Sequence, residues 1–184
     1  MTGGLLVAAY LAAFNVARTR LGVPEDEAHR ARAGVLAGGA LLALGVTAAL
    51  AACSGPLLRS LEITPGTFRI AAGFVAVIAA VVALAAPRPA AEPVPRRWRA
   101  AVWPVAVPLL LGPEVAALAV ATGSQEGVAA TLVSAGIGLA ALVALGFLPR
   151  RPLPDRVLVW ASRWSGAVLL LVGIWLAVDG IRDV

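Results

Sequence analysis

The sequence has very few of the residues from which proteins build reactive or metal-binding sites. Its 184 residues include one cysteine, Cys53, one histidine, His29, and no lysine. A single chain therefore forms no disulfide and has too few thiolate and imidazole groups for a zinc cluster or a pair of haem ligands. We expect no metal, no cofactor and no catalytic residue, and we interpret the protein as a non-enzyme.

Charged residues are also scarce. They make up 14% of the chain, against roughly 25% in soluble domains, and 60% of the residues are hydrophobic against roughly 45–50%. The mean hydropathy is +0.91. The net charge of +5 comes from arginines in short segments between apolar runs, which membrane orientation explains without a nucleic acid partner. The composition predicts an integral membrane protein.

Six apolar runs follow one another along the chain, and each is a candidate transmembrane helix. A helix needs about 20 residues to cross a hydrocarbon core of about 30 Å. The prediction is an all-α membrane protein with six transmembrane helices, the first of which is the shortest. The runs are Gly3–Ala17, Ala33–Cys53, Phe68–Ala86, Ala100–Thr122, Gly127–Leu148 and Val157–Val178.

The arginines are concentrated in three segments. Arg18–Arg32, Pro87–Arg99 and Pro149–Arg163 hold four each, which is 12 of the 15 in the chain. Positively charged residues favour the cytoplasmic side of a membrane. The bias therefore predicts that these segments are cytoplasmic, and that both termini and the loops Ser54–Thr67 and Gly123–Glu126 lie outside. We expect the location to be a cell membrane, of the bacterial plasma membrane type.

The segment 87–99 divides the chain into two halves. It is rich in proline and arginine and has no apolar periodicity, which is typical of an extended cytoplasmic linker. Residues 1–86 and 100–184 then hold three spans each, and an odd number of spans gives the second half the opposite orientation. We predict two inverted three-helix repeats. The third spans of the two halves begin alike, and in that comparison Arg69 matches Arg163.

Small residues mark candidate helix contacts. Gly34 and Gly38 in the second span, and Gly136 and Gly138 in the fifth, permit close approach of helix backbones. Two interpretations are open, namely packing within the six-helix unit and the contact surface of a dimer.

Three motifs resemble those of one family. LEITPGTFRIAAGFVAVIAAVVAL resembles the MarC family signature, in which a short outer loop leads into a Phe-Arg-Ile-Ala-Gly-Gly helix start. VAVPLLLGPEVAAL resembles the proline-rich run of the family's fourth span, and VGIWLAVDGI resembles its closing Asp-Gly-Ile. The matching residues are Phe68, Arg69, Ile70, Ala71, Gly73, Pro108, Leu109, Gly112, Pro113, Asp179, Gly180 and Ile181.

Apart from Ala72, which stands in place of the first glycine of the signature, the sequence departs from the family pattern at two positions. The family usually has an Asn-Pro or Asp-Pro pair in the first span, whereas Asn15 is followed here by Val16. Family members tend to have a small residue after the Gly-Pro of the fourth span, where this chain has Glu114. The resemblance, which is more distant to LysE-type exporters, implies a transporter-like fold of two three-helix repeats.

The fourth span carries the strongest candidate site. Pro104, Pro108 and Pro113 each remove a backbone donor, which predicts a kinked or broken helix, and transporters commonly place a mid-membrane site at such a break. Glu114 follows Gly112 and Pro113 near mid-depth, where an ionised carboxylate is costly. It either contacts substrate or a coupled proton, reaches water at the outer leaflet without a specific role, or forms a structural ion pair.

Other polar residues within the spans are secondary candidates. Asn15 is either a packing group or a ligand that converges with the Gly112-Pro113-Glu114 break. Arg69 is the natural partner for Glu114, and Arg163 is the matching arginine of the second half. Asp179 is expected to cap a helix or pair with an outer-loop arginine. Weaker candidates to line a site are Thr47, Thr131, Ser134 and Ser165.

Two functions of different classes fit these features. The first is a small-solute transporter or exporter with a mid-membrane site at broken helices 1 and 4. The alternative is a non-transporting structural or accessory subunit of a larger membrane complex. The expected partners are the lipid bilayer, a small solute, and either a second copy of the chain or a membrane-complex partner, with no nucleic acid.

Overall fold

The computed structural model describes the backbone of residues 3–15, 29–86, 102, 106–107, 110–147 and 155–184. Within these ranges all regular structure is helical, as predicted. α2, α3, α5 and α6 are long and apolar enough to cross a membrane, whereas α1 and α4 have 12 and 13 residues. These lengths fit a membrane protein. The helices are α1 (Gly3–Phe14), α2 (His29–Ser60), α3 (Pro65–Ala85), α4 (Pro113–Gln125), α5 (Gly127–Phe147) and α6 (Asp155–Arg182).

α2 is longer than the second apolar run. It continues through Pro56 to Ser60 and α3 begins at Pro65, so the prediction of a loop over Ser54–Thr67 is wrong for residues 54–60 and 65–67. Proline has a helical φ and removes a single backbone donor, which disturbs the helix locally. Leu58 on the following turn is buried and keeps the end of α2 against the bundle.

The turn into α3 is held by backbone and side-chain caps. Glu62 has a φ of 56°, and the Ile63 N–H donates back to the last turn of α2. Thr64 then caps α3, because its hydroxyl accepts a hydrogen bond from the Thr67 N–H at 3.2 Å. This start places Arg69 just over one turn inside α3.

The connection between α4 and α5 is also shorter than predicted. α4 continues to Gln125, so Glu126 alone separates it from Gly127 at the start of α5, and most of the predicted loop Gly123–Glu126 is helical. The Glu126 N–H donates to the Thr122 carbonyl at 2.8 Å. Gly127 has a φ of 85°, which glycine adopts without the steric cost that other residues meet.

α3 and α6 pack against each other through glycines. A Cβ placed on Gly73 would lie 2.6 Å from the Gly173 carbonyl oxygen, and one on Gly173 would lie 2.8 Å from the Gly73 carbonyl oxygen. A Cβ on Gly180 would lie 2.7 Å from the Gly66 carbonyl oxygen. At the other end of the contact, a Cβ on Gly166 would lie 3.3 Å from the Ala80 carbonyl oxygen. We call this contact the glycine seam; it is antiparallel, with a spacing of seven residues on both helices.

Side-chain contacts between other helices define the two ends of the bundle. Asn15, at the end of α1, bonds Ser162 near the start of α6. Because α3 is antiparallel to α6, α3 also ends here. Gly138 of α5 packs on the Phe14 ring within the unit, so α5 runs alongside α1, whereas a Cβ on Gly34 or Gly136 would meet no atom within 4 Å. Ala51, late in α2, packs on Gly123, which lies near the turn from α4 into α5. α2 therefore ends where α5 starts, and it begins at the end where α1 finishes.

The three arginine-rich segments of the sequence adjoin the same end of the bundle. α1, α3 and α5 finish there, and α2 and α6 begin there, so we call it the arginine end. The far end holds the start of α1, the turn between α2 and α3, the turn between α4 and α5, and the end of α6. The segments 16–28, 87–101 and 148–154 themselves lie outside the described residues.

The glycine seam predicts a position-dependent effect of adding one methyl group. Gly73→Ala is expected to lower the free energy of unfolding by about 1–3 kcal/mol, because the added atom overlaps backbone that has no room to move. Gly45→Ala is the control, since a Cβ there meets no atom within 4 Å, and the better helix former is expected to be neutral or to stabilise by up to about 1 kcal/mol. The measurement is thermal unfolding in detergent. Equal midpoints for the two variants would contradict the seam.

Candidate functional site

The fourth apolar run is broken at the predicted place. α4 begins at Pro113, after an extended Gly112 with φ −68° and ψ 162°. Just before the break, the Leu111 N–H donates to the Ala106 carbonyl at 2.8 Å, five residues earlier, which is the wide turn of a π-type bond rather than an α-helical one. Pro104 and Pro108 lie outside the described residues.

Glu114 lies in the first turn of α4, and its side chain folds back toward the break. A Cβ placed on Gly112 would overlap the Glu114 carboxylate, so only glycine leaves room for this conformation. The side chain is half-buried. Acidic residues are stabilised in the first helical turn, where backbone N–H groups lack partners within the helix and the dipole is positive. The helix break therefore accounts physically for a carboxylate within an apolar run.

Asn15 ends α1. It is 7% exposed and has a φ of 37°, a left-handed conformation in which asparagine is common at helix ends. Its Nδ2 donates to the Ser162 hydroxyl at 3.2 Å and lies 3.4 Å from the Ser162 carbonyl oxygen. One turn along α6, the Ser165 hydroxyl donates to the Ala12 carbonyl at 2.9 Å. Asn15 therefore terminates one helix and fastens it to another.

The end of α1 and the break before α4 both lie toward the arginine end of the bundle, relative to one polar contact. The Tyr10 hydroxyl is 3.1 Å from the Thr122 hydroxyl. Counted from this contact, Asn15 is about 8 Å further along α1 and Glu114 about 12 Å back along α4, at a rise of about 1.5 Å per residue. The two breaks are thus at similar depth, as the hypothesis of a shared site requires.

Apolar side chains next to the breaks are completely buried. Phe14 precedes Asn15, Leu110 precedes the break in the fourth run, and Val115 follows Glu114. All three have no exposed surface and belong to one apolar cluster. The polar groups of the candidate site are therefore bordered by packed hydrocarbon.

A short chain of hydroxyl groups joins α1, α4 and α5. The Thr131 hydroxyl is 3.1 Å from the Thr122 hydroxyl, which also contacts Tyr10 and donates to the Leu118 carbonyl at 2.8 Å. Sequence reasoning missed Tyr10 and Thr122, although Tyr10 is the single tyrosine and lies in an apolar helix. Thr47 of α2 is also fully buried, and its hydroxyl has no hydrogen-bond partner among the described residues.

Arg69 pairs with aspartates of α6. It is 2% exposed, and its Nη1 and Nη2 donate to the carboxylates of Asp179 and Asp183. Both terminal nitrogens are used in this way, so the partner expected from the sequence, Glu114, is replaced by Asp179 and Asp183. Asp179 pairs with an arginine, but Arg69 lies within α3 and not in an outer loop as expected. Asp183 was missed, because it follows the end of the apolar run.

The structure does not bring every candidate together. Arg163 has an exposed side chain near the start of α6, at the opposite end of that helix from Asp179. No group of three or more histidine, cysteine, aspartate or glutamate side chains that could hold a metal ion occurs within the described ranges. The candidates therefore fall into two separate groups. One contains Asn15 and Gly112-Pro113-Glu114 at the helix ends, and the other is the ion cluster around Arg69.

Comparisons with known protein families, curated proteins and solved structures found no match to this chain. The resemblance to the MarC family therefore rests on the three motifs alone and stays a prediction.

The position of the Glu114 carboxylate predicts coupling between two substitutions. Gly112→Ala is expected to destabilise the protein by about 1 kcal/mol, because the new methyl group displaces the carboxylate from the helix start. In a Glu114→Ala background the same substitution is expected to cost little. Thermal unfolding of the two single variants and the double variant measures the difference. Additive effects would contradict the placement of the carboxylate over Gly112.

Proposed function

We propose that this protein is a MarC-like small-solute transporter or exporter of a cell membrane, with a mid-membrane site where helices 1 and 4 are interrupted. The observation that carries the proposal is that the end of α1 at Asn15 and the break at Gly112-Pro113 lie at similar depth. Transporters commonly build their sites from discontinuous helices, because these present backbone polar groups within the membrane.

The glycine seam supports an inverted repeat. Gly73 opposes Gly173, and the pair Gly66 and Gly180 on one side mirrors the pair Ala80 and Gly166 on the other. When each position in α3 is related to the position 100 residues later in α6, the contacts map onto one another. This is the relation that a twofold axis passing between Gly73 and Gly173 requires. The pattern of burial at residues 71–80 also recurs position by position at 171–180.

The repeat inferred in this way differs in register from the one expected from the sequence. Arg69 corresponds to Leu169, and not to Arg163, when positions 100 residues apart are compared. Leu169 is buried, like Arg69, whereas Arg163 is exposed. We adopt the register that preserves burial, since helices related by a twofold axis face their partners in the same way.

The proposed orientation follows from the arginine end. All three arginine-rich segments adjoin this end, and positively charged segments favour the cytoplasm. The far end, which holds both termini, then lies outside the cell, and the chain crosses the membrane six times. Asn15 and Gly112-Pro113 then lie on the cytoplasmic side of the Tyr10–Thr122 contact.

Glu114 is the candidate for substrate contact or proton coupling. Its carboxylate lies at the start of α4, the position in which interrupted helices of transporters hold an anionic group. The site therefore already contains its own anion, which favours a neutral or cationic solute over an anionic one. A carboxyl group of this kind is also able to take up a proton when its surroundings change.

A second function, a non-transporting subunit of a membrane complex, is favoured by one observation. Phe14, Leu110 and Val115 beside the breaks are fully buried, and the amide of Asn15 already bonds Ser162. In this case the interrupted helices are structural features of a closed bundle.

Flux measurements in proteoliposomes separate these functions. A screen of small neutral and cationic solutes, with and without a proton gradient, is expected to identify at least one that crosses faster than in empty vesicles. Glu114→Gln is then expected to reduce gradient-driven flux by about tenfold or more, because a carboxamide, unlike a carboxyl group, does not bind and release a proton. Glu62→Gln, at an exposed position in the turn between α2 and α3, is the matched control.

Two results would count against the proposal. Flux that is equal in Glu114→Gln and in the unmodified protein removes Glu114 from the coupling mechanism. Absence of flux for every solute, in protein that is folded by thermal unfolding, favours the subunit function.

A further inference from the structure

The ion cluster of Arg69, Asp179 and Asp183 joins α3 and α6 at the far end of the bundle. Arg69 is 2% exposed, whereas the aspartate side chains are 31% and 54% exposed. The buried arginine is therefore paired with carboxylates that are themselves partly exposed. Its Nε is buried and has no hydrogen-bond partner among the described residues, so the two carboxylates carry its hydrogen bonding.

Glycines bring the helices close enough for this cluster to form. A Cβ placed on Gly66 would lie 3.3 Å from the Asp183 Cβ, and one on Gly180 would lie 2.8 Å from a side-chain carbon of Ile70. Both positions flank the ion cluster along the seam. The helix backbones are consequently in contact where Arg69 meets its partners, and separating the helices at this end breaks the ion pairs.

The positions that correspond to this cluster at the arginine end of the seam are apolar. In the register that relates positions 100 residues apart, Arg69 corresponds to Leu169, Asp179 to Ala79 and Asp183 to Ala83. Leu169 and Ala83 are buried and apolar. One end of an otherwise symmetric contact is therefore held by charges, and the other end is held by hydrocarbon.

We propose that the Arg69–Asp179–Asp183 cluster is a latch that keeps α3 and α6 together at the far end, whereas the corresponding positions at the arginine end provide apolar packing. Opening the contact at this end separates the buried arginine from both carboxylates. An unpaired buried charge is costly, so the latch opens only at a considerable cost. This inference rests on the proposed transport function, in which the far end opens in one state and the arginine end in the other.

Hydrogen exchange of the full-length protein in lipid nanodiscs tests the latch without a known substrate. Mass spectrometry is used to compare peptides from the far end of the seam, covering residues 64–74 and 177–184, with peptides from the other end, covering residues 75–86 and 156–166. Arg69→Gln is expected to accelerate exchange about tenfold or more at the far end, with little change at the arginine end, since local opening depends on local contacts.

Three further variants make the test specific. Arg182→Gln removes an exposed arginine from the same end of α6 and is expected to leave exchange unchanged. Arg69→Lys retains the positive charge and is expected to restore part of the protection. Asp183→Asn keeps an acceptor oxygen at the more exposed partner, and its smaller but measurable acceleration at the far end provides the test if Arg69→Gln does not fold.

The outcomes distinguish the latch from transport itself. Unchanged exchange at the far end in Arg69→Gln and Asp183→Asn, or equal acceleration at both ends, overturns the latch. Acceleration confined to the far end supports it even if no solute is transported, and in that case only the transport function fails. If solutes are transported, Arg69→Gln is expected to change the flux rate while Arg182→Gln does not.

Discussion

The fold depends on the contact between the backbones of α3 and α6. Without a hydrophobic driving force between helices in lipid, close association requires small residues that let backbones touch. Gly66, Gly73, Gly173 and Gly180 provide that contact. It fixes which face of each helix is buried and places the end of α6 beside the start of α3, where Arg69 finds its aspartates.

Three polar residues of this apolar chain are each stabilised by a local feature of the structure. Glu114 lies at a helix start, Asn15 adopts the left-handed conformation of a helix end, and Arg69 has two carboxylates. A charged or amide group within a membrane is costly unless it is paired or solvated. Helix ends stabilise two of the three groups, Asn15 and Glu114. The positions of these helix ends therefore determine where the polar candidates lie.

The helical class and the break at Gly112-Pro113 could be predicted, because composition and proline chemistry act locally. Helix ends were less predictable: α2 passes through Pro56 and α4 extends to Gln125, since packing against neighbouring helices outweighs local turn preferences. The partners of Arg69 could not be predicted, because the register of α3 on α6 depends on glycines whose spacing becomes meaningful only when both helices are seen together. The comparison that aligned Arg69 with Arg163 gave weight to a shared charge, whereas the seam depends on the absence of side chains.

The register of the glycine seam is the central claim, and cysteine crosslinking tests it most directly. In a Cys53→Ser background, a pair of cysteines at Ala83 and Gly166 is expected to form a disulfide on oxidation, because a Cβ placed on Gly166 would lie 3.2 Å from the Ala83 Cβ, and a shift of a few tenths of an ångström brings the pair into the range of about 3.5–4.5 Å that disulfides need. A protease site inserted in residues 87–99 then separates the halves, and fragments that stay joined without reductant report the bond. A pair at Ala83 and Gly173, about 10 Å out of register at about 1.5 Å per residue, is expected to separate. Separation of the first pair together with retention of the second would contradict the seam.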